Sequence, residues 1–148
     1  MDPTIRNRFN DDILSEAMRR YDIAPGDIEE GGGFESFIYR YTRDSERFIL
    51  RITHTFRRTP ELIRGEVDWI NYLAAGGAAV ARAVMSAGGE LVEEIDDGAG
   101  GRFLATAFVH APGRQPRADD WTPALRQTYG RLIGRMHALT KQYEPADP

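Results

Sequence analysis

The chain contains no cysteine. That excludes disulfides, thiolate metal sites and a cysteine nucleophile, and it suits a reducing compartment. Histidine is scarce. His54, His110 and His137 are scattered, and no two of them share a helix face at ligand spacing, so they do not make a metal site. No stretch approaches the roughly 18 apolar residues that span a bilayer. The N-terminus, Met1 to Arg6, lacks the apolar core of a signal peptide. A basic excess is missing too: 19 Lys+Arg stand against 23 Asp+Glu, a net charge of −4, which argues against a nonspecific nucleic-acid binder. There is no internal repeat and no low-complexity linker. What remains is one soluble domain, expected in the cytoplasm, with no nucleic-acid and no membrane partner. Its 148 residues, 41% hydrophobic and 28% charged, have globular composition.

Periodicity supplies the elements. Ile13, Leu14, Ala17 and Met18 predict a helix over 10–21, capped by Asn10 or Asp11 and broken at Ala24–Asp27. Ile28–Glu30 is a short extended piece, and Gly31–Gly33 a turn. Phe37, Tyr39 and Tyr41 alternate with Ile38 and Arg40, as in a two-faced strand. Arg43–Glu46 reads as a polar hairpin turn. Phe48, Leu50 and Ile52 then point one way, with Ile49 and Arg51 on the other face. Thr59-Pro60-Glu61 starts a helix with the stripe Leu62, Ile63, Val67, Ile70 and Leu73, ended by Gly76-Gly77. Strands are expected around Ala83–Ser86 and Leu91–Ile95. A loose hairpin loop over 96–101 leads into a central strand, Arg102–Val109. Thr122-Pro123 opens a long helix whose apolar residues Leu125, Tyr129, Leu132, Met136, Leu139 and Tyr143 step by 4, 3, 4, 3 and 4. Ile133 widens that seam. Hairpin-linked strands carrying helices imply an α+β domain with a mainly antiparallel, five-stranded sheet.

Four features point to chemistry. Gly31-Gly32-Gly33-Phe34-Glu35-Ser36 lies between two strands. Glycines let backbone approach a phosphate, and successive amides can face its oxygens. A Walker loop or a dinucleotide fingerprint would need a helix after the glycines, and here a strand follows. Arg51 shares a strand face with Ile49, so the cation could reach phosphates while Ile49 lies against a base. Read alone, it could equally be a solvated edge arginine. Glu66 sits near the apolar stripe of the following helix, where an acid needs a partner. Arg51 is the natural one; pairing along its own helix, near Arg64 or Asn71, is the other. The strand 103–110 is either core or a hinge whose backbone groups read an adenine edge.

In this order, the four make the pattern of a kinase N-terminal lobe. The sequence resembles the aminoglycoside phosphotransferase and homoserine/choline kinase superfamily. The resemblance rests on residues 32–39 (Gly-Gly-Phe-Glu-Ser-Phe-Ile-Tyr), 48–54 (Phe-Ile-Leu-Arg-Ile-Thr-His) and 65–73 (Gly-Glu-Val-Asp-Trp-Ile-Asn-Tyr-Leu). It continues through 105–113 (Ala-Thr-Ala-Phe-Val-His-Ala-Pro-Gly) and 129–140 (Tyr-Gly-Arg-Leu-Ile-Gly-Arg-Met-His-Ala-Leu-Thr). The resemblance implies that Gly31, Gly32, Gly33 and Ser36 form a phosphate loop with Phe34 at its tip. Arg51 would hold the α- and β-phosphates and pair with Glu66, taking the place of a lysine. Ala107, Phe108, Val109 and His110 would be the hinge.

It further implies ATP or GTP with Mg²⁺ as cofactor in an intact enzyme that phosphorylates a hydroxyl of a small metabolite or antibiotic. Residues 1–113 would be the nucleotide-binding lobe, and 114–148 a linker and the first long helix of a second lobe. The family's catalytic His-x-Asp is missing. Two residues after the histidines stand Phe56, Pro112 and Leu139. No catalytic residue and no metal ligand is therefore assigned, and the chain is expected to be an inactive N-terminal fragment. Its seam 122–143, robbed of a partner, would pair two copies. The alternatives are a noncatalytic nucleotide-binding or interaction domain, and an α+β module with an ordinary glycine turn.

Overall fold

The computed structural model describes residues 2–146. Two helices come first: α1 (Pro3–Arg8) and α2 (Asp11–Arg20). Asn10 is the cap of α2, its Oδ1 accepting the Ile13 amide at 3.0 Å. Strands β1 (Ile28–Gly32), β2 (Phe37–Arg43) and β3 (Glu46–His54) form an antiparallel meander. Asp44 and Ser45, at φ 53° and 66°, make the tight β2–β3 turn. Then come α3 (Pro60–Ala75), β4 (Ala83–Val84), β5 (Glu93–Asp96), β6 (Arg102–Val109) and α4 (Pro123–Thr140).

The sheet differs from the expected five strands in one respect. It has six, in the order β1-β2-β3-β6-β4, with β5 also on β6. β4 pairs with Ala107 and Phe108, β5 with Arg102 to Ala105. The two share one edge of β6, so six strands fill five rows. Ser86 is the cause of the break: its Oγ accepts the amides of Gly88 and Glu90, which turns the chain off the edge. The strands expected at 83–86 and 91–95 are accordingly shorter and shifted, to 83–84 and 93–96.

Alternation along the strands gives the sheet two covered faces. Tyr41, Phe48, Leu50, Ile52, Phe103, Ala105 and Ala107 pack with Ile5, Ile13, Ala17, Met18 and Tyr21 of the N-terminal segment. On the other face Leu104 and Ala83 pack with Ile63 and Val67 of α3. Leu50, Ile52, Phe103 and Leu104 have no exposed surface, and each such side chain contributes about 1.5–3 kcal/mol on burial.

Helix α4 departs from the expected bare seam. Its last turns dock on α3. Tyr72 Oη donates to the Leu139 carbonyl at 3.3 Å, Trp69 Nε1 to Thr140 Oγ1 at 3.1 Å, and Arg135 to the Gly76 carbonyl at 2.6 Å. The helix ends at Thr140, short of the expected 143. Tyr143 continues the stripe from outside it, its hydroxyl donating to Asp68 at 2.6 Å. Among the described residues the first turns of α4 have no such hydrogen-bonded partner on α3, and Tyr129 is exposed.

Candidate active-site cleft

The glycine run is less a turn than the end of a strand. Gly31 and Gly32 belong to β1, with a register shift between Glu30 and Gly32. Gly32 and Gly33 have φ of 81° and 147°. A Cβ on Gly33 would stand 2.0 Å from the Ser36 carbonyl oxygen, so only glycine fits there. The chain doubles back over residues 33–36 and leaves Phe34 at the tip, 84% exposed. The loop straddles the sheet: Gly32 and Gly33 line a cavity with Arg6 and Phe9 of the N-terminal segment, whereas Glu35 and Ser36 reach the cleft on the α3 side.

Arg51 shares that cleft with Glu35 and Ser36. Strand alternation places Ile49, Arg51 and Thr53 opposite the packed face of β3. Arg51 donates from Nη1 to Glu66 Oε1 at 2.7 Å and from Nη2 to Glu66 Oε2 at 3.1 Å. Its Nε–H donates to Thr106 Oγ1 at 3.2 Å, and its guanidinium lies 5.0 Å from the Phe108 ring centroid. Those three bonds use three of five guanidinium donors and leave two N–H groups for a ligand. Glu66 is thus paired across to β3. Asn71 instead accepts the Ala83 amide at 2.8 Å, and Arg64 pairs with Glu61 and Glu94.

Ser36, Arg51 and Glu66 line one cleft of about 300 Å³ together with Glu35, Arg57 and Arg58. Three guanidinium groups therefore face two carboxylates. The only lysine of the chain, Lys141, follows α4, so every cation of the cleft is a guanidinium, suited to bidentate phosphate contacts. The free guanidinium donors fit a polyphosphate group, while Gly32 and Gly33 line the neighbouring cavity and not this cleft.

The hinge residues divide. Phe108 shares the Arg51 face. Ala107 is fully buried on the opposite face and Val109 packs there too, so their side chains do not meet the cleft. The amides of Val109 and His110 already donate to the carbonyls of Arg82 and Arg47, each at 3.0 Å. A base edge read at this hinge has to use carbonyls there, or amides beyond His110.

Two participants were not foreseen. Thr106 orients Arg51. Glu35, at the loop, is ion-paired with Arg57 of the β3–α3 connection. His54, outside the cleft, is fully buried at the end of β3. Its Nδ1 accepts the Phe56 amide at 3.2 Å, so Nε2 carries the proton toward Asp97 Oδ2 at 3.0 Å. The Arg57-Arg58 pair just before the Thr59 cap was the available signal: two cations in the same connection as Arg51 and Glu66. Among the described residues, no three His, Asp or Glu side chains cluster as a metal site would require.

Comparison with known proteins gives this geometry a lineage. The sequence profile of the phosphotransferase enzyme family matches residues 28–148. The chain is 37% identical over 145 residues to amicoumacin kinase of Bacillus subtilis (strain 168), covering 97% of this chain and 43% of that protein. Among solved structures it resembles an amicoumacin kinase in complex with AMP-PNP, Ca²⁺ and amicoumacin, at TM-score 0.93 and 41% identity, covering all of this chain and 45% of the other. A microcompartment-associated aminopropanol kinase (TM-score 0.72, 22% identity, 92% and 42% covered) and a spectinomycin phosphotransferase solved with ADP and spectinomycin (0.62, 12%, 90% and 40%) share the fold. The chain thus spans less than half the length of these relatives. It belongs to the phosphotransferase enzyme family, with the kinase-like fold of that family's N-terminal region.

Proposed function

We propose that these 148 residues hold the nucleotide of a small-molecule kinase. The observation that carries the reading is the Arg51–Glu66 fork, in a cleft whose rim, Glu35 and Ser36, continues the glycine loop that tolerates no side chain at Gly33. The match to a relative solved with AMP-PNP supports it. In this reading the amides of Gly31–Ser36 and the two spare N–H groups of Arg51 bind ATP phosphates, Ile49 and Phe108 flank the base, and the 107–110 strand end supplies its edge contacts. Residues 1–113 act as the nucleotide-binding lobe. Residues 114–148 carry the connection and the first helix of a second lobe.

The acceptor is a hydroxyl on a small polar molecule, and amicoumacin is the first to test, because the relatives at 37% and 41% identity carry that name. A bound divalent cation would neutralise phosphate charge during transfer. No catalytic His-x-Asp occurs in the 148 residues, so this chain by itself binds nucleotide without transferring phosphate. Two copies pair through the open first turns of α4.

A fluorescent ATP analogue titrated with the chain tests the nucleotide reading. Saturable binding displaced by Mg·ATP, or by Mg·GTP, is expected; binding that neither displaces contradicts it.

A further inference from the structure

We propose that Arg57 is a second phosphate-binding cation, held in reserve by Glu35 until an anion enters the cleft. This rests on the nucleotide reading above and adds to it a residue and a loop contact.

The two partners are held very differently. Arg57 stands on a fixed turn, in which the amides of Arg57 and Arg58 both donate to the His54 carbonyl, at 2.9 and 3.3 Å. His54 is itself fully buried and bonded to Asp97, whose carboxylate also takes Arg8 of α1. Glu35 stands on the bare loop. Among the described residues, its bond to Arg57 is the one hydrogen bond that residues 34–36 make. The pair therefore ties an otherwise unbonded loop to a rigid platform, across the mouth of the cleft that holds Arg51.

Charge decides what an anion does there. Arg51 is matched by Glu66 and Arg57 by Glu35, while Arg58 has no carboxylate within 4.0 Å among the described residues. A polyphosphate drawn to that unmatched charge competes with Glu35 for Arg57. Both partners are partly exposed, with 37% and 50% of their side-chain surface open, so the pair is weak and exchangeable. Once Arg57 turns to the phosphates, the freed carboxylate is repelled by them, and the loop tip lifts with it. Glu35 thus opposes binding while Arg57 favours it. A plain clamp would make both favour binding.

That difference in sign is the test. The chain and its Glu35→Gln, Arg57→Ala and Arg57→Lys variants are titrated with Mg·ATP and with inorganic tripolyphosphate, which carries the charge without the base. Glu35→Gln is expected to tighten both ligands about threefold, the scale of an exposed ion pair. Arg57→Ala is expected to weaken both about tenfold, the scale of one charge-assisted bond. Arg57→Lys restores most of the loss, and the double variant Glu35→Gln, Arg57→Ala behaves as Arg57→Ala alone. Weaker binding in Glu35→Gln overturns the proposal. So does unchanged binding in Arg57→Ala; if Arg51→Ala still abolishes binding in that case, the nucleotide reading stands. No response of the unmodified chain to either ligand overturns both.

Discussion

The Asp97 carboxylate has no exposed surface and accepts four hydrogen bonds, from Arg8, His54 and the amides of Ala99 and Gly101. Burial pushes its pKa up, but Arg8, the two amides and His54 together outweigh that and hold it well below the usual carboxylate range. Glu16, bonded by Arg19 and Arg20, is lowered to about 2. Unfolded, such groups titrate near about 3.9 and 4.3. Both are therefore depressed on folding. Their stabilisation is complete above the unfolded values and lost as pH falls through the folded ones, from about 4.3 toward about 2 for Glu16 and further down for Asp97. Asp97→Asn should cost about 3 kcal/mol at pH 7, because it strips a buried charge network of its anion. Melting curves between pH 7 and pH 3 should show a smaller acid loss in the variant; an equal loss would contradict this role. At this scale the sequence was partly legible. Arg51 and Glu66 follow from strand alternation and a helical stripe, which fix direction. Asp97, Glu35 and Arg57 lie in turns, where no period says which way a side chain points.

Elements were legible where caps and periods coincide. Thr59-Pro60 and Thr122-Pro123 start α3 and α4 as expected, with each threonine accepting the amide three residues on. Helix α1 escaped notice because six residues bury only Ile5, too few for a stripe. The end of α4 was overrun because Tyr143 keeps the spacing while leaving the helix to reach Asp68. The hydroxyl of Tyr143 is pushed up to about 12 by burial and by that carboxylate. The β1–β2 loop carries the sharpest prediction for an element. Gly33→Ala puts a Cβ into the Ser36 carbonyl at a φ of 147°. The strain, about 1–3 kcal/mol, opens the loop. Nucleotide binding should be lost while α3 and α4 keep their amide-exchange protection. A variant that binds as before would show that the loop does not touch the ligand.

The whole molecule has one face complete and one open. The α1–α2 side is a closed core. The first turns of α4 show Leu125, Tyr129 and Leu132 to solvent in part or in full, beside Trp121 just before the helix. Apolar surface of that kind is rare on monomers, which is the ground for proposing paired copies. Sedimentation at high micromolar concentration should give a dimer that Tyr129→Glu disperses; a monomer at every concentration would overturn the pairing without touching the nucleotide site. That half of the seam was legible from its 4-3-4 steps. The docking of its other half on α3 was not, since Trp69, Tyr72 and Asp68 lie on a face of α3 that the apolar stripe does not mark.

The central claim is that Arg51 holds nucleotide phosphates, and the direct measurement is a thermal-shift titration with Mg·ATP, beside Arg51→Ala. One-site linkage gives about 2.7 kcal/mol at 100 times Kd, or several degrees in a chain of this size. The account predicts a saturating rise in the unmodified chain that the variant lacks. An equal rise in both, or none in the unmodified chain, would contradict it.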